Sequence, residues 1–148
     1  MSELALRTIE RIHGHLGWLA AAGLLHPAIF LRRKNRRAVL SASLSTLAIT
    51  AAVVLGIVLY PEYRATLKQP LFVKAPTSGW MFERKEHLAV AALAFAWVGL
   101  VAHVAAPRFP RPTRPRAERL AHVAFVVSFA LTVAVGVLGV VVSVHTSF

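Results

Sequence analysis

Two runs of this chain, Ala38 to Tyr60 and Leu120 to Val144, carry no Asp, Glu, Lys or Arg over more than twenty consecutive residues. A hydrocarbon core of about 30 Å needs roughly 20 apolar residues rising 1.5 Å each, so both are long enough to cross a bilayer. His87 to Ala106 is also uncharged and just meets that length. Leu16 to Leu31 is shorter and reaches it only if its helix begins in the polar turns around Thr8 to His15. The sequence therefore predicts an all-α integral membrane four-helix bundle, a single membrane domain with helices near 8–31, 38–60, 84–106 and 120–144. An outer loop 61–83 and a Pro/Arg-rich inner loop 107–119 join them.

Strands are excluded by length and by the solvent. A spanning barrel strand needs about 9–11 residues of alternating character, whereas these runs are continuous. Lipid offers an unpaired backbone group no partner, so even Ala124-Phe125-Val126-Val127 is driven into helix despite its β-branched residues. A soluble bundle would need a polar face every three to four residues, and Ala51 to Leu59 offers water none. A secretory signal is disfavoured, because Glu3 and Glu10 precede the first apolar run and bulky Ile29 and Phe30 follow Pro27.

Charge sets the orientation. Arg32, Arg33, Lys34, Arg36 and Arg37 follow the first span, and Arg108, Arg111, Arg114, Arg116 and Arg119 follow the third, against the single acid Glu118. The other side mixes Arg7, Arg11, Arg64, Lys68, Lys74, Arg84 and Lys85 with Glu3, Glu10, Glu62, Glu83 and Glu86. The positive-inside rule places the two dense clusters in the cytoplasm, which gives an up-down-up-down path with both termini extracytoplasmic in a bacterial cytoplasmic (inner) membrane. The formal charge of +11 then points to anionic lipid headgroups and not to nucleic acid. No cysteine is present, which removes disulfides, thiolate metal sites and covalent haem attachment.

The connectors differ in kind. Arg32 to Arg37 is a tight turn that makes the first two helices antiparallel neighbours. Four prolines between Pro107 and Pro115 predict a stiff extended strap along the headgroups. In the outer connector, Tyr63, Trp80 and Phe82 suit an interfacial belt, with Glu62 to Val73 as an amphipathic surface piece. A docking patch for another subunit or a quinone headgroup is the competing expectation.

Seven histidines are the candidate chemistry. His13 and His145 read as wet interfacial side chains. His26 and His103 lie inside their apolar runs, where an imidazole must find a partner, and His122 enters the fourth helix at a similar depth. Paired imidazoles from different helices are what axial ligation of a non-covalent b-type haem requires, so His26 and His103 are candidate haem or metal ligands and His122 an alternate ligand or propionate partner. Gly23 and Gly99, one turn before His26 and His103, offer room for a flat ring. A second haem on His15 and His87 is less consistent: His87 and His103 are sixteen residues apart, about 160° in azimuth. Pro27 frees the Gly23 carbonyl and can bend the last turns of the first helix. Ser43, Thr46 and Thr50 form a hydroxyl stripe on the second helix, expected to bond to its own backbone or to hold helices together.

No acid lies inside a span and no inverted repeat is visible, which argues against a cation-coupled transporter, although a small transporter or channel stays open. No nucleophile elbow, phosphate loop or dinucleotide fingerprint occurs. In architecture, though not in any motif, the arrangement resembles small four-helix bacterial membrane proteins, some of which are respiratory accessory or cytochrome b-like subunits. That resemblance implies an accessory or assembly subunit of a membrane complex, respiratory among the options, with other membrane subunits or further copies of itself as partners. The alternative is a b-haem electron-transfer subunit interacting with quinol.

Overall fold

A computed structural model describes residues 3–30 and 36–144. Most of the first basic cluster, Arg32 to Lys34, and His145 lie outside the described residues. Every described element is helical: α1 (Glu3–Phe30), α2 (Arg36–Tyr63), a π-helical turn Arg64–Lys68, the short α3 (Gln69–Lys74), α4 (Pro76–Ala105), a 3-10 turn Ala106–Arg108 and α5 (Arg114–Val144). Three continuous helical stretches, Ala38–Lys74, Pro76–Arg108 and Arg114–Ser143, are long and apolar enough to cross a membrane. Helix α1, whose apolar run is the shortest, is not among them.

The helices extend beyond their apolar runs, and prolines explain how. Pro115 occupies the second residue of α5 and Pro76 the first of α4, positions where a missing N–H leaves no bond unmade. The four inner prolines therefore do not form the expected extended strap. Pro107 sits in the 3-10 turn, Phe109 after it is extended (φ −79°, ψ 148°), and a tight turn in which Thr113 and Arg114 donate to the Pro110 carbonyl starts α5. The outer loop expected over 61–83 is likewise almost all helix. Helix α2 continues through Pro61, which frees the Ile57 carbonyl, and the chain widens at once into the π turn. Phe72 then lays its ring on Gly79, where a Cβ would lie 2.9 Å from Cγ, and meets Trp80 edge-to-face at 5.5 Å.

Residue pairings fix how the long helices lie. His13 meets Ala52, Gly23 meets Ser45 and His26 meets Ser41, so numbers fall on α2 as they rise on α1. Lys85 meets Gly139, Ala92 meets Ser128 and Gly99 meets Phe125 in the same sense on α4 and α5. Helix α1 also packs on α5, and α2 on α4. All four contribute to one core of Ala20, Leu24, Ala28, Ala42, Ile49, Ala92, Ala96 and Phe125. Small side chains dominate it because lipid tails are as apolar as leucine: helices in a membrane associate by close packing and hydrogen bonds, and alanine lets backbones approach. The bulky apolar groups, Leu19, Leu40, Leu47, Ile57, Val90 and Val101 among them, point outward.

The hydroxyl stripe is structural. Thr46 donates to the Ala42 carbonyl and Thr50 to that of Thr46, each one turn back. Ser128, fully buried on α5, donates across to the Ala92 carbonyl of α4 at 2.8 Å.

Candidate functional site

At the end of the bundle nearest the arginine-rich turns, His26 is exposed near the end of α1. Its Nδ1 shares a hydrogen bond of 2.8 Å with Ser41 Oγ of α2, and its ring stacks on Phe30 at 4.7 Å. Pro27 sets this up, since the Gly23 carbonyl it frees receives a partner from α2: Ser45 Oγ stands 2.7 Å from it and 2.7 Å from the Ser41 carbonyl. One hydroxyl proton therefore serves two acceptors.

His103 on α4 and His122 on α5 are half-buried. The register that puts 99 beside 125 and 92 beside 128 continues to 103 beside 117–121, so His122 lies within about two turns of the level of His103 on the neighbouring helix. His103 Nε2 and His122 Nδ1 are both buried without a hydrogen-bond partner. Leaving a polar nitrogen so costs about 1–3 kcal/mol. Helix α1 is not a close neighbour of α4, and His26 stands with α2; among the described residues no three of His, Asp and Glu gather as a metal-binding group.

The small residues expected to admit a flat ligand are filled by the chain itself. A Cβ on Gly99 would lie 2.8 Å from Cδ2 and 2.9 Å from Cε2 of the fully buried Phe125, and one on Gly23 would lie 3.2 Å from Ser45 Oγ. The flat ring that Gly99 accommodates is phenylalanine.

The opposite end holds a polar cluster that sequence reading missed. His13, expected to be wet, is half-buried: its Nδ1 donates to the Ala52 carbonyl at 2.9 Å and its Cε1 lies where a Cβ on Gly56 would be 3.1 Å away. The Tyr63 hydroxyl lies within electrostatic reach of the Glu10 carboxylate of α1. Lys85 of α4 lies within electrostatic reach of Glu10, Glu86 and His13, with its ammonium 4.8 Å from the Phe82 ring centre. Lys68 reaches Glu86 at 3.6 Å and Glu83 at 3.9 Å, and its ammonium lies 5.8 Å from the centre of the Tyr60 ring. The signal for His13 was its spacing: 13, 17, 20, 24 and 28 form one helical face, on which Ala20, Leu24 and Ala28 are core. His15 and His87 are both exposed, and His87 Nδ1 donates to the Glu83 carbonyl one turn back, a local surface role.

No protein-family model matches this chain, and neither the curated proteins nor the solved structures include one that matches it.

Proposed function

We propose that the chain is an accessory or assembly subunit of a larger complex in a bacterial inner membrane, folded as an up-down-up-down bundle with both termini extracytoplasmic. One observation carries this reading. Residues that could have opened an interior chamber are closed by neighbouring side chains, Gly99 by Phe125, Gly23 by Ser45 and Gly136 by Trp18, while the bulky apolar side chains face outward. A chain so built presents surface to its surroundings and keeps its interior for packing. Separation of native membranes solubilised in mild detergent tests it: the chain should migrate in an assembly well above its own 16.1 kDa, with stoichiometric neighbours. Migration as a lone monomer in every mild detergent overturns it.

The buried, unpartnered nitrogens of His103 and His122 favour one second reading, a b-haem electron-transfer subunit facing quinol, with His103 as a ligand, His122 assisting, and His26 as the second ligand once it turns from Ser41. Phe125 would have to leave the Gly99 face for a flat macrocycle to enter there. A reduced-minus-oxidised visible spectrum that is lost in His26→Ala or His103→Ala supports this reading, and a colourless protein refutes it.

A further inference from the structure

The membrane placement above leaves one surface whose two halves match the two halves of a lipid. At the inner end of α4 and α5, Trp97, Val98, Val101, Ala102, Ala105, Phe109 and Leu120 line an almost wholly apolar groove of about 430 Å³. Along α4 it runs from Trp97 to Ala105, about 12 Å at 1.5 Å per residue. Its volume falls within the ~300–1,000 Å³ of small-ligand sites, whereas a stable protein interface buries upwards of ~1,000 Å².

The rim at the headgroup end is cationic. Arg116 lies one helical turn before the lining residue Leu120 on the same face, Arg119 sits on the same turn of α5 about 100° round from Leu120, and Arg108 directly precedes Phe109 in the chain. Glu118 is the single acid anywhere in residues 87–148, and it is held by Arg114 at 2.9 Å. Arg108 donates one N–H to the Val104 carbonyl at 3.3 Å, which folds its guanidinium back along the last turn of α4 and leaves its other N–H groups outside that bond. Arg116 and Arg119 are exposed. Guanidinium groups bind phosphate oxygens with two parallel hydrogen bonds, and such a cluster beside an apolar trough fits neither a neutral lipid nor a purely apolar helix.

We propose that this groove is a discrete site for one anionic phospholipid of the cytoplasmic leaflet, with an acyl chain along Trp97 to Ala105 and the headgroup phosphate held by Arg108, Arg116 and Arg119. It rests on the membrane placement and not on the accessory role.

Trp97 lines the site and reports on it. With Trp18→Phe and Trp80→Phe in place, the full chain is reconstituted in phosphatidylcholine bilayers containing about a tenth of either brominated phosphatidylglycerol or brominated phosphatidylcholine, and quenching of Trp97 is compared. The anionic lipid should quench at least about fivefold more effectively, as expected of charges of this number near the surface. Arg108→Gln, Arg116→Gln and Arg119→Gln together should bring that ratio close to one, and Ala105→Leu should weaken quenching by filling the trough with every charge intact. A second reporter separates a site from a diffuse ionic atmosphere: Leu40→Trp in a Trp97→Phe background lies beside Arg36 and Arg37 on α2 and should show a clearly smaller preference. Equal quenching by the two lipids, an unchanged ratio in the triple variant, or the same preference at both reporters overturns the site. Absence of quenching even in fully brominated phosphatidylcholine overturns the membrane placement instead.

Discussion

Replacing Gly99 by alanine adds one carbon at the tightest point of the core. That carbon would lie 2.8, 2.9 and 3.1 Å from Cδ2, Cε2 and Cγ of Phe125, against the 3.5–4.0 Å optimum for carbon pairs. The ring cannot swing away, because Phe125 is fully buried and packed within the core shared by all four helices. Overpacking of this kind costs about 1–3 kcal/mol, and the helix-propensity gain of Gly→Ala returns up to about 1. The close contacts favour the upper part of that range, so Gly99→Ala should lose a net ~1–2 kcal/mol, roughly 5- to 30-fold in the unfolding equilibrium. Unfolding in mixed micelles by titration with a denaturing detergent, followed by helical circular dichroism, measures it. Gly17→Ala is the matched control: nothing lies within 4 Å of its added carbon, so it should be neutral or stabilising. Phe125→Leu in the Gly99→Ala background should recover part of the loss, with a coupling above ~0.5 kcal/mol between the two sites. If Gly99→Ala proves as stable as Gly17→Ala, the Phe125 ring does not occupy that notch and the closed-interior argument fails with it.

Other perturbations test other seams. Ser45→Ala removes the one side chain facing the carbonyl that Pro27 frees and should destabilise by about 1 kcal/mol; in a Pro27→Ala background, where an N–H returns to that carbonyl, the same change should cost less, as a double-mutant cycle would read. Thr113→Cys in the inner turn should react with a membrane-impermeant thiol reagent only after the cells are opened, and Thr77→Cys before; the reverse order would invert the orientation. Lys68→Ala, despite contacts to Glu83 and Glu86, should change stability by less than about 1 kcal/mol in the same detergent titration, because this pair of ion contacts lies at 3.6–3.9 Å on a partly exposed surface.

The spans were legible because lipid imposes a rule that few residues can break: the runs without charge in 38–60, 87–106 and 120–144 all lie within helices. Helix ends were less so, because hydropathy marks where the bilayer stops and not where the helix does. Arg114 to Arg119 is strongly charged and yet forms the first turns of α5, and Pro76 starts α4 eight residues before the expected boundary. Depth along a helix could be counted in residues, and the α4/α5 register brings 103 beside 117–121, a residue or more short of His122. Azimuth depends on which neighbours a helix acquires, so the sequence did not show that His26 would turn to Ser41 or His13 to Ala52. Gly99 was read as room for a flat cofactor, but a sequence cannot say that Phe125, 26 positions away, fills that room.

The weakest apolar helix shows how these parts depend on one another. Helix α1 lacks the hydropathy of the others, and three of its polar groups lie at three depths: His13, the carbonyl that Pro27 exposes at Gly23, and His26. Each is met by a group on α2, the Ala52 carbonyl, the Ser45 hydroxyl and the Ser41 hydroxyl respectively. An isolated α1 in hydrocarbon would carry all three unpaired, at several kcal/mol for each group that found no partner. Beside α2 it carries none of those three unpaired, and the small side chains of Gly23 and Ala20 let the two backbones approach closely enough for the hydroxyls to reach. Its place among the other helices is therefore a property of the antiparallel pair and not of its own composition, which is why a count of apolar residues marks α1 as marginal while its packing against α2 is continuous along the bundle.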